Sequence, residues 1–163
     1  MYSKKDFFNR IIRQVEFGIY YFLDDYLEKH PDADVAGLRC VHIIFSFHFE
    51  LLLKALYVKT KILNKNVDIN KELQSLGHNL EKIGRILGKN ELLKVGIKDI
   101  YKKNNFYIIE TENRNIKVED FINIRYDFIS GTMRNTTREE YSTIKEDLSE
   151  IKEIVEKLKK DLN

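Results

Sequence analysis

The side chains with chemical potential in this chain are four histidines, one cysteine and many acid–base pairs. None forms a ready-made metal or nucleophile pattern. A di-metal carboxylate centre on helices needs Glu three residues before His. Here Leu27, Arg39, Phe45 and Ser75 hold those places before His30, His42, His48 and His78. No His-Glu-x-x-His occurs, which removes the zincin arrangement, and no metal ligand set is expected. Gly84-Arg85-Ile86-Leu87-Gly88-Lys89 has one residue too few between its glycines for a phosphate loop, and Asn90 stands where Ser or Thr is required. Cys40 excludes an internal disulfide and every multi-cysteine zinc site, and is expected as a buried packing thiol. Glu50 and Lys54 are spaced as an i,i+4 helix pair, expected partly buried. Arg125 lies beside Tyr126 and Asp127, where a local ion pair or a charged helix face would explain it. His48 falls among apolar residues, so a hydrogen-bonded core imidazole is the default, whereas His78 falls near a helix start.

The elements that must position these groups are helical. Phe8, Ile11, Ile12, Val15, Ile19, Phe22, Leu23 and Tyr26 recur at three- and four-residue steps, which predicts a helix over about 6–28 with those residues on one face. Ser3 and Asp6 mark its start, and His30-Pro31-Asp32 its end. A second helix is expected over about 34–62. It is apolar nearly all round, so it should be wrapped by the others. Leu73, Leu76, Leu80, Ile83, Ile86 and Leu87 predict helix over 72–87, with a turn around Ser75-Leu76-Gly77-His78. A short helix through Leu92, Leu93, Ile97 and Ile100 should follow. Residues 106–118 bracket a turn-like cluster with β-branched and aromatic runs, giving either a small β-hairpin or an ordered loop. Helical spacing returns over Val118–Ile129. A last helix, capped by Thr136 or Thr137, carries the stripe Tyr141, Ile144, Leu148, Ile151, Val155, Leu158 and Leu162. Its Lys152, Lys157, Lys159 and Lys160, alternating with Glu150, Glu153 and Glu156, read as a solvated face. The expectation is one all-α domain over 1–163, an antiparallel bundle of about five or six helices.

Composition bounds the function. The 163 residues are 43% hydrophobic and 33% charged, with one proline, enough apolar residues for a packed core. A net charge of +2 argues against a grossly basic nucleic-acid coat protein and leaves room for a local basic cleft. The apolar stretch 41–58 contains His42, His48, Glu50 and Lys54, which are costly in lipid. No membrane association is expected. No signal-peptide pattern is visible at the start, so a cytoplasmic location is expected.

Three segments, His48-Phe49-Glu50-Leu51-Leu52-Leu53-Lys54-Ala55-Leu56, Leu76-Gly77-His78-Asn79-Leu80-Glu81-Lys82-Ile83 and Ile124-Arg125-Tyr126-Asp127-Phe128, together resemble the HEPN domain family (higher eukaryotes and prokaryotes nucleotide-binding). Their order and spacing fit over roughly residues 6–160. The resemblance implies an all-helical homodimer that binds RNA or nucleotide in a bacterial defence or toxin–antitoxin setting, with Glu50, Lys54, Arg125, Tyr126 and Asp127 at the binding face and no cofactor. Active members are metal-independent ribonucleases with an Arg and a His four to six residues apart. Arg125 matches that Arg, able to hold a phosphate bidentately, but Ser130, Gly131 and Thr132 occupy the places of the His. The first expectation is therefore binding without the standard catalytic pair. The alternatives are a ribonuclease in which His48 or His78 replaces that imidazole beside Arg125, and an antitoxin-like interaction scaffold with a cognate antitoxin or effector protein as partner.

Overall fold

A computed structural model describes residues 3–30, 35–63, 65–104, 106–120 and 138–160. The expected helix over 118–129 lies outside the described residues beyond position 120, as does the Thr136/Thr137 cap. The described chain is mostly helical.

The first rod comprises α1 (Lys4–Glu16), a π-helical stretch Phe17–Leu23 and α2 (Asp24–Lys29). Ser3 opens it with a capping box: its Oγ accepts from the Asp6 N–H at 3.1 Å, and its own N–H donates to the Asp6 carboxylate. Val15, Ile19, Leu23 and Leu27 are all fully buried at strict four-residue steps. In an α-helix each such step drifts round the axis by roughly 40°. The wider π turn reverses that drift and keeps the seam on the core. It also moves Phe22 out of the apolar face to which three- and four-residue counting assigns it; the ring is 46% exposed.

The central helix α3 (Val35–Tyr57) continues as a π turn over Val58–Ile62. The stretch Arg39–Ile62 is long and apolar enough to cross a bilayer, yet 67% of its most apolar window is buried inside the protein. The first rod, α5, β3 and the C-terminal helix all touch α3. Cys40 near its start is exposed, contrary to the buried thiol expected.

Helix α4 (Ile69–Leu76) stops at Gly77, whose φ of +67° favours glycine, and α5 (Leu80–Leu87) starts from the Asn79 cap. Helix α6 (Lys89–Lys94) is short. The chain then turns into a small sheet, one strand larger than the hairpin expected near 106–118, within a fold that is mostly helical. Strands β1 (Ile97–Lys103), β2 (Phe106–Thr111) and β3 (Asn115–Glu119) pair antiparallel in the order β1-β2-β3. The 106–118 segment is thus a hairpin, with Val118 in a strand, and Ile97 and Ile100 belong to β1, not to a helix. Tyr107, Ile109, Ile116 and Val118 point alternately into the core.

The last helix, α7 (Arg138–Lys160), buries Ile144, Leu148, Ile151, Ile154, Val155 and Leu158. Its charged residues are not simply solvated. Lys152 bonds Asp24 at 2.6 Å, Lys159 bonds Glu16 at 2.7 Å, and Glu150 is buried. At the other end the β2–β3 turn clamps α7. Arg114 reaches Glu146 at 2.7 Å and Asp147 at 3.0 Å, while the Asn113 amide donates to Glu150.

Candidate functional site

Glu50, Lys54 and Tyr57 lie at i, i+4 and i+7 on α3, hence on one face. Glu50 is 3% exposed. Such a carboxylate needs donors, and two arrive. The Lys54 ammonium donates to Oε1 at 2.7 Å along the helix, and His78 Nδ1 stands 3.0 Å from both oxygens. His78 comes from the three-residue turn between α4 and α5. Gly77 gives the left-handed step that releases the chain, and the Asn79 side chain accepts from the Lys82 N–H at 2.9 Å to start α5. Tyr107 on β2 secures the turn from below, its hydroxyl hydrogen-bonded to the Leu80 N–H.

An ionised carboxylate only accepts, so Nδ1 of His78 carries the proton in this contact. In the neutral ring Nε2 is then the basic nitrogen. The imidazole side chain is 51% exposed. A buried carboxylate orienting a surface imidazole is an arrangement suited to proton transfer. With His78 protonated, the trio carries two positive charges against one negative and attracts anions. Burial, reinforced by Asp120 and Glu81, pushes the Tyr107 phenol up to about 12, so it remains a neutral hydrogen-bonding group. Tyr57 is likewise raised to about 12 by burial, with its hydroxyl donating to Glu72 at 2.7 Å. Composition and spacing single out neither tyrosine, because both look like core aromatics; their polar ends find partners only through the fold.

His48 is sorted the other way. Its Nδ1 lies 2.7 Å from the Ile44 carbonyl oxygen, to which it donates, and its ring lies over Gly18, where a Cβ would come within 2.1 Å of Nε2. Burial lowers its pKa below the usual imidazole range. It is a partly buried packing histidine two residues from Glu50, on a different side of the helix. Arg125, Tyr126 and Asp127 lie outside the described residues. Among the described residues no three His, Cys, Asp or Glu side chains converge as a metal site. No family model, curated protein or solved structure matches the chain.

Proposed function

We propose that this chain is a HEPN-like domain, its helices arranged as the antiparallel bundle of that family, that binds RNA or a nucleotide through phosphate. The carrying observation is that two of the three motif segments, 48–56 and 76–83, meet in one ionic contact among Glu50, Lys54 and His78. Arg125, in the third segment, adds the bidentate phosphate contact, with Tyr126 and Asp127 beside it. The setting is a homodimeric cytoplasmic protein of a bacterial defence or toxin–antitoxin system. Single-stranded RNA, titrated by fluorescence anisotropy, should bind the wild type and bind Arg125→Ala and His78→Ala about tenfold more weakly. Equal affinity of all three proteins contradicts the proposal.

The carboxylate–imidazole contact favours one second reading, a metal-independent endoribonuclease. His78, not His48, would take the 2′-hydroxyl proton as the 2′-oxygen bonds phosphorus and the P–O5′ bond breaks, the 5′-oxygen taking a proton from water, while Arg125 stabilised charge on the phosphate. Cleavage of mixed RNA that survives EDTA and disappears in His78→Ala supports it; no cleavage at high protein concentration removes it.

A further inference from the structure

The first rod carries an exposed stripe that the proposed site does not use. Arg10, Arg13, Phe17, Tyr21, Asp25 and Glu28 are all exposed and follow one another at steps of three, four, four, four and three residues. Phe17 is 65% and Tyr21 69% exposed, and Phe22 flanks them. These are three of the five large exposed hydrophobic residues among the described ones; the others, Ile86 and Leu93, lie on α5 and α6. Phe17 and Tyr21 already touch, ring centroids 6.3 Å apart, making one aromatic patch at the middle of the rod. The stripe is therefore basic at its N-terminal end, aromatic at its centre and acidic at its C-terminal end.

That order is antisymmetric about the level of Ile19. We infer that this stripe docks against the same stripe of a second copy of the chain, the two rods running antiparallel about a two-fold axis at that level. Such an axis sets Arg10 opposite the partner's Glu28, Arg13 opposite the partner's Asp25 and Phe17 opposite the partner's Tyr21. Each contact occurs twice, as an isologous interface requires. The aromatic centre supplies the buried apolar area. The flanking charges select the antiparallel register, because a parallel pairing would set Arg against Arg and carboxylate against carboxylate. Asp25 bonds Lys29 at 2.7 Å within its own helix, an exposed pair that is cheap to exchange.

This interface rests on the homodimer proposed above and names where it forms; it does not depend on RNA binding, and its test reads association alone. Sedimentation equilibrium of the whole chain should show a concentration-dependent dimer. Phe17→Asp with Tyr21→Asp should make it monomeric while the far-ultraviolet circular dichroism stays unchanged. One charge variant, Arg10→Glu with Arg13→Glu, makes the stripe wholly acidic; a second, Asp25→Arg with Glu28→Arg, makes it wholly basic. Each alone should self-associate about tenfold more weakly or worse, and their mixture should form a heterodimer. A wild type that stays monomeric at all concentrations overturns the inference, as does a dimer indifferent to these four charges.

Discussion

The two sides of α3 each meet a histidine, in different surroundings. On one side a partly buried His48 packs against Gly18 and donates to its own helix. On the other, Glu50 draws in Lys54 and a half-exposed His78 from 28 residues away. Two positions along one helix separate a packing imidazole from the carboxylate that holds a chemically competent one. The difference lies in what faces the ring: a glycine without a Cβ in one case, a buried carboxylate in the other. A second contrast sharpens the point. Asp147 is as buried as Glu50, each 3% exposed. It faces Arg114 from a poorly aligned angle, and burial lifts its carboxyl to about 7; Arg114 opposes that lift, while Glu146 and Glu150 add to it.

The largest expected effect breaks the polar side. Glu50→Ala strands the Lys54 ammonium, only 12% exposed, and should lower unfolding stability in urea by about 3–5 kcal/mol. A loss below about 1 kcal/mol would mean that the contact is ornamental. On the packed side, Gly18→Ala forces the His48 ring to move and should cost about 1–3 kcal/mol. Adding His48→Ala should recover part of that loss, and strictly additive costs would deny the contact. Asp147 tests the second contrast through pH. Its folded pKa lies above the unfolded value, so the folded state holds the extra proton between about pH 4 and 7. Stability should therefore fall as pH rises through that window, with a slope of up to about 1.4 kcal/mol per pH unit. Asp147→Asn should flatten that slope, and an unchanged profile would remove Asp147 from the account. The smallest effect on stability belongs to His78→Ala, within about 1 kcal/mol, although it should weaken RNA binding.

Much of this arrangement was legible in the chain. The apolar run of α3, the stop at Gly77, the Ser3–Asp6 start and the i,i+4 pair of Glu50 with Lys54 all follow from local rules. Strand β1 does not, for a physical reason. Pairing shifts register between Ile97 and Asp99, so the buried residues Ile97 and Ile100 fall three apart and imitate a helical step. Phe22 leaves the apolar face because a π turn changes the period that three- and four-residue counting assumes. The partnership of His78 with Glu50 depends on a fold-made contact, which spacing alone does not encode. The same holds for the burial of Glu150 beneath Asn113.

Titration of the histidine side-chain resonances by nuclear magnetic resonance, with a short single-stranded RNA added, bears most directly on the proposed site. The imidazole of His78 should shift on addition while that of His48 stays put. His48 should also remain uncharged below the usual imidazole range, as its burial requires. RNA that leaves His78 undisturbed, or that moves both rings alike, would contradict the assignment of phosphate binding to the Glu50–Lys54–His78 contact.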